Sequence, residues 1–234
     1  MFLFSTSVYA ETFTFYSFEA SPYACEKCPD QGALVKAVRE ILKSKGHTVD
    51  IKFLPYLRAT KEATDKTISG YLPEWPSDLP AEGYTASKKI FESHVILVTL
   101  KSKPLVWNTL NDLKGKKIGT ISGYGYGEEF TALEKKGVFK ADPVNDEQTN
   151  LKKLQIGRID ALITNKESAY ATIKEAGLKS SDFDIQTKDV SIFPNIIGLN
   201  KSHPKYAENL KIINETLTQE QVEKIIYDYV AKHY

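Results

Sequence analysis

The chain has 234 residues, 41% hydrophobic and 26% charged, an ordinary globular composition long enough for one large domain or two small ones. Its 31 basic and 30 acidic side chains nearly cancel, and a net charge of +1 gives no basic field for nucleic acid or an anionic membrane surface. No apolar run approaches the roughly 18–20 residues that a membrane span requires.

The first ten residues, Met1-Phe2-Leu3-Phe4-Ser5-Thr6-Ser7-Val8-Tyr9-Ala10, are apolar and then small. Val8-Tyr9-Ala10 fits a signal-peptidase site, so residues 1–10 read as the tail of a signal peptide whose charged start is missing. The mature chain is then expected to begin near Glu11. An ordinary first strand is the alternative for the same residues.

The elements expected next alternate strand and helix. Thr12 to Phe18 is β-branched and aromatic with alternation, a strand. Cys25-Glu26-Lys27-Cys28 follows, and Pro29-Asp30-Gln31-Gly32 delays the helix that a thioredoxin-like motif would open. With His47, His94, His203 and His233 scattered and no second cysteine pair, a zinc site is not supported. A small local disulfide is expected in an oxidising compartment, with two reduced structural thiols as the alternative. After Gly32, the residues Leu34, Val38, Ile41 and Leu42 fall on one face of a helix that ends at Lys45-Gly46. Val49 to Leu54 reads as a strand, Leu57 to Asp65 as a short helix, and Ile90 to Leu100 as a long strand containing a packed His94.

A second, similar unit starts after Pro104. Lys117 to Ile121 is a strand, then comes a glycine-rich turn, and then a helix from Glu128 to Lys136. Leu151 and Leu154 mark another helix, followed by the strand Ile159 to Thr164, a helix from Glu167 to Ala176 and a strand from Phe183 to Gln186. Ser191 to Leu199 is extended again, and two helices close the chain. Thr218 and Gln221 suggest a capping box on the last, whose stripe is Val222, Ile225, Ile226, Tyr229 and Val230. Helices separating strands imply mainly parallel sheets. The two extended runs near 90–100 and 188–199 bracket the second unit and are candidate crossovers.

Two segments carry a family resemblance. Thr109-Leu110-Asn111-Asp112-Leu113-Lys114-Gly115-Lys116-Lys117-Ile118-Gly119, with Leu154 and Gly157-Arg158-Ile159-Asp160-Ala161 downstream, resembles the periplasmic solute-binding proteins of polar amino-acid importers, the bacterial extracellular solute-binding protein family 3. The resemblance extends over most of Glu11 to Tyr234. It implies an α/β chain with the two-lobe type II periplasmic binding fold and two crossover hinge strands. One lobe would be discontinuous, 11–95 with 193–234, and the other would be 96–192. The implied function is capture of a small polar ligand between the lobes, for a membrane permease of an ATP-binding-cassette importer. The implied protein is a periplasmic monomer without cofactor, metal or catalysis. The alternatives are an enzyme on the same fold, a dehydratase or lyase with Glu19 and Glu74 as acid and base, or a ligand-sensing domain.

The site can also be read from its residues. Gly119 to Gly127 joins a strand to a helix, a setting that aims backbone N–H groups and a helix dipole at one point and suits an anion. By resemblance, Ser122, Gly123, Tyr124 and Tyr126 contact ligand here. In the first lobe it marks Glu19, Tyr23, Tyr56, Arg58, Glu74 and Trp75. Two positions depart from the family pattern. The stretch from Ser77 to Lys88 lacks the Arg that pairs with an α-carboxylate, and Asn165 stands where the family carries the Asp that holds the α-ammonium. The ligand is therefore expected to escape the usual amino-acid clamp. Tyrosine and Trp75 contacts would replace it, with Arg58 available for an anionic group.

Overall fold

The computed structural model describes residues 10–61 and 64–234, so Val8 and Tyr9 of the expected cleavage site lie outside the described residues. The chain divides into two compact units. The first holds the residues through Phe91 together with Pro194–His233, and the second holds Glu92–Phe193. Both boundaries fall inside strands, β5 (Phe91–Leu100) and β9 (Phe183–Asn200), so each passage between units is made by extended backbone.

In the first unit, β1 (Thr12–Ser17) pairs in parallel with β2 (Thr48–Phe53) and with β3 (Gly70–Glu74). Strand β9 then closes on β3 in antiparallel sense, and the short β4 (Tyr84–Ala86) also pairs with β9. Gly70 faces Leu199 on β9, and a Cβ on Gly70 would lie 2.1 Å from the Gly198 carbonyl oxygen, so the two backbones approach closely only because Gly70 has no side chain.

Helix α1 (Ala33–Ser44) buries Leu34, Val38, Ile41 and Leu42, the face its spacing indicated, and packs on α7 (Gln219–His233). Val222, Ile226 and Tyr229 of α7 are buried, while Ile225 and Val230 are half-buried. At the start of α7, Thr218 Oγ1 accepts from the Gln221 N–H at 3.4 Å and donates to Gln221 Oε1 at 3.0 Å. The Gln221 side chain thus bonds the Thr218 hydroxyl, not the backbone N–H that a full capping box would use. The Tyr229 hydroxyl donates to the Pro29 carbonyl at 2.8 Å, tying α7 to the loop after Cys28. Cys25 and Cys28 are joined by a disulfide with their Cα atoms 5.3 Å apart.

The second unit orders its strands β9, β5, β8 (Ala161–Asn165), β6 (Lys117–Ile121) and β7 (Lys140–Val144). Strand β6 pairs in parallel with β7 and β8, and β5 is antiparallel to β8. Helices α3 (Glu128–Lys135), α4 (Glu147–Gln155) and α5 (Lys166–Glu175) lie between these strands in the chain. Ile96, Val98, Leu151, Leu154, Leu162, Ile173 and Phe183 form a buried core in this unit. Thr109 and Asp112 form a full capping box on the one-turn helix Leu110–Leu113, so the segment carrying the family resemblance is an entry turn to β6.

Several elements differ from the sequence reading. The helix expected over 57–65 is only one turn, α2 (Tyr56–Ala59). The extended segments expected at 183–186 and 191–199 are one 18-residue strand. Strands β3, β4 and β7 add antiparallel and edge pairings to the mainly parallel plan.

Candidate functional site

In the first unit two of the marked residues, Tyr56 and Trp75, meet a third, the buried carboxylate of Glu74. Glu74 ends β3 and is 5% exposed. Its Oε2 accepts from the Tyr71 hydroxyl at 3.0 Å and from the Tyr56 hydroxyl at 3.2 Å, and its Oε1 accepts from the Trp75 N–H at 2.8 Å. All three donors are neutral. Burial pushes the Glu74 carboxyl up to about 7, and the three donors oppose that rise without cancelling it.

The contact between Tyr71 and Glu74 needs explanation, because residues three apart on a regular strand point to opposite faces. Tyr71 pairs with Gly198 and Glu74 with Ile196, so β3 advances three residues while β9 advances two. The extra residue is a β-bulge, which reverses the alternation and lets Tyr71 meet Glu74. The Tyr71 ring stacks edge-on with Tyr84 at 4.7 Å, and Tyr56 does the same with Phe18 at 4.8 Å. Each phenol is thereby held by packing as well as by its hydrogen bond.

The other residues marked in this unit are placed differently. Glu19 is exposed, and its Oε1 accepts from the Glu26 N–H at 3.1 Å, within the disulfide loop. Tyr23 is 3% exposed and packs on Phe91 with ring centroids 5.1 Å apart, a core position. Arg58 is exposed on α2, and Trp75 is half-buried.

In the second unit Ser122, Gly123 and Tyr124 are exposed on the turn between β6 and α3, and Gly123 adopts φ 86°, a conformation that favours glycine. The Ser122 N–H donates to Val144 and the Tyr124 N–H to Ile121, so two of the donors expected to face a ligand are bonded internally. Tyr126 is 5% exposed, its ring packs on Phe130 at 5.5 Å, and its hydroxyl oxygen accepts from the Ile121 N–H at 2.8 Å. That makes Tyr126 a brace beneath the turn. Glu128 and Glu129 occupy the first turn of α3, where their charge already complements the helix dipole and disfavours the anion expected there.

Asn165 closes β8 and caps α5 without a side-chain cap bond, and its Oδ1 is buried with no hydrogen-bond partner. Next to it, the Thr164 hydroxyl donates to Glu147 Oε1 at 2.8 Å. Glu147 lies against Val98, Leu151, Leu162, Ala169 and Ile173, and burial raises its carboxyl to about 7. Sequence reasoning missed Glu147, because an acid in the first turn of a helix is ordinary; only its neighbours show that it points inward.

His94 Nδ1 lies 3.1 Å from Asp189 Oδ1, joining β5 to β9, so His94 is a packed residue of the crossing strands. Among the described residues no cluster of His, Cys, Asp and Glu could hold a metal ion, and no helix is long and apolar enough to cross a membrane.

No family model and no curated protein matches the sequence. Solved structures do. AbpA, an amino acid ABC transporter substrate-binding protein from Streptococcus pneumoniae bound to L-arginine, matches with a TM-score of 0.68 at 13% identity, over 94% of each chain. The arginine-bound form of truncated ArgBP from T. maritima matches at 0.67 and 19%, over 88% of this chain and 94% of that one. Substrate-binding domain 2 of GlnP from Lactococcus lactis, in an open conformation, matches at 0.61 and 18%, over 93% and 94%. At these identities the likeness establishes the fold, and this chain has the two-lobe architecture of type II periplasmic binding proteins.

Proposed function

We propose that the chain is an extracytoplasmic solute-binding protein that captures a small polar solute and delivers it to the permease of an ATP-binding-cassette importer, with no chemistry of its own. The supporting observation is the fold match over nearly the whole chain to substrate-binding proteins and domains, two of them with arginine bound. The contacts proposed in the first unit are Glu74, Tyr56 and Trp75, with Arg58 and Glu19 at its surface. Those in the second are Ser122, Gly123, Tyr124 and Asn165, and Tyr126 and Tyr23 act from beneath as packing residues. The protein is read as a periplasmic monomer whose mature chain starts near Glu11, a residue buried against His47 and Lys205.

Catalysis is disfavoured by the surroundings of the two candidate carboxylates. Glu19 is exposed and bonded within its own loop, and Glu74 carries three fixed donors. The test is a thermal-shift screen of amines, amino acids, organic acids, sugars and short peptides. A ligand at about 100 times its dissociation constant should add roughly 2.7 kcal/mol of stability. If no compound of any class raises the melting temperature, the solute-binding reading fails. Permease and ATPase genes beside this one would support delivery to an importer, whereas a neighbouring kinase or cyclase gene would point to sensing.

A further inference from the structure

The near balance of charge over the whole chain hides a local excess in the second unit. Residues 101–117 and 152–158 carry seven lysines and Arg158 against one acid, Asp112. Parts of both segments line one groove, Lys103, Pro104, Leu105 and Lys116 from the first and Leu154 and Gly157 from the second. Lys103 Nζ would lie 3.7 Å from a Cβ on Gly157, so its ammonium reaches across to the second segment. Asp160, the acid of the groove, accepts the Lys117 N–H at 2.8 Å, and Asp112 accepts the Asn108 and Thr109 N–H groups at 2.8 Å. Lys153 is paired with Asp142 at 3.0 Å, whereas Lys103 and Lys116 form no ion pair with a described residue. Next in the chain to the lining residues stand Val106, 85% exposed, and Ile156, 66% exposed. Exposed apolar side chains are ordinary when scattered singly, but here two adjoin one groove. The groove holds about 180 Å³, below the roughly 300 Å³ at which small-ligand pockets begin, so it takes an anchoring side chain and not a whole solute. It lies at the end of the sheet where β6 and β8 start and β5 ends. Ser122 stands about 20 Å from Lys116 along β6, at the rise of an extended chain.

We propose that this groove is a docking surface for an acidic segment of a partner protein, which sets one apolar side chain over Leu105 and Leu154 and carboxylates on Lys103 and Lys116. Charge complementarity selects the acid, and the apolar lining with Val106 and Ile156 beside it selects the anchor. An anionic bilayer shares the charge but is flat, and it is met by Trp, Phe or Leu on a protruding helix face, not by Val106 and Ile156 beside a concavity. The inference does not depend on which solute the chain binds. Docking at this end of the sheet leaves the turn after β6 uncovered.

The test is NMR titration of the intact, isotope-labelled protein with a library of short peptides in which a leucine, isoleucine or phenylalanine is flanked by glutamates. Library members should move the amide signals of Leu105, Lys116 and Gly157 and leave those of Ser122 to Tyr124 in place. Binding should weaken as salt is raised. Lysine for glutamate in the peptide, or glycine for its apolar residue, should each weaken binding about tenfold or more. In the protein, Lys103→Glu combined with Lys116→Glu should lower affinity about tenfold, and Ile156→Ser about threefold. If the double charge reversal does not fold, the lysine and glycine peptides still decide. No shift in the groove from any peptide at millimolar concentration overturns the inference, and so does equal binding of the lysine peptides. Binding to phosphatidylglycerol vesicles with no response to the peptides overturns it too, and marks the surface as lipid-facing.

Discussion

Thr164 Oγ1 lies 2.8 Å from Glu147 Oε1, the hydrogen bond that holds an otherwise apolar-packed carboxyl at the start of α4. Burial raises Glu147 from 4.5 to about 7, so the folded state holds its proton more tightly than the unfolded state does. The resulting stability is present in full below the unfolded value of 4.5 and is lost as pH rises through about 7. Glu147→Gln, a neutral mimic, should match wild type near pH 5 and exceed it by about 2 kcal/mol near pH 8. Urea unfolding at the two pH values measures this. A variant less stable than wild type at pH 8 would refute the burial argument.

Arg58 is exposed on α2. If the solute makes no ion pair with it, Arg58→Ala should leave the affinity for a solute found in the thermal-shift screen within about twofold, because an exposed charge acts through a screened field. Had Arg58 been the partner of an anionic group, its loss would cost about 2–5 kcal/mol. Titration of the variant separates the two outcomes.

Gly198 sits across from Tyr71, and a Cβ there would fall 2.7 Å from the Tyr71 ring and 2.9 Å from Leu79. Gly198→Ala should destabilise the protein by about 1–3 kcal/mol through overpacking. It should also displace the Tyr71 phenol that donates to Glu74. The expected signature is a lower melting temperature together with weaker solute binding, and unchanged binding in a destabilised protein would show that Tyr71 does not position the carboxylate.

The Cys25–Cys28 bridge closes a four-residue loop, and in the chain-entropy account so short a loop is worth about 2 kcal/mol. Replacing both cysteines by serine should lower stability by that amount or less. The ring sits beside Pro29, which accepts the Tyr229 hydroxyl bond, so hydrogen exchange should rise first in the loop and at the end of α7.

The parts of this fold that bury one face were legible in the sequence. Leu34, Val38, Ile41 and Leu42 on α1, and the stripe on α7, pack where their spacing puts them, because a helix face is fixed by local periodicity. Two strands containing proline were not legible, β3 with Pro73 and β7 with Pro143, whereas β9 was read as two extended segments despite Pro194. The turn after β6 was located correctly, yet Tyr126 proved to be its support, since side-chain direction in an irregular segment depends on what packs behind it. Glu74 was singled out by resemblance, but its two phenol partners come from 18 and 3 residues away through α2 and the bulge, contacts that sequence spacing does not encode.

The bulge in β3 gives that pocket an unusual dependence on chain length. Where alternation is regular, a site changes one side chain at a time. Here the face that Glu74 presents is set by the count of residues between Tyr71 and Glu74 against β9. Deleting Leu72 would remove the bulge and leave Glu74 opposite Ile196 on the face of Tyr71, whereas inserting a residue there with the bulge kept would put Pro73 in that place and turn the carboxylate to the other side of the sheet. The face that Glu74 presents can therefore change by insertion of a single codon, a route that no point substitution at Glu74 reproduces.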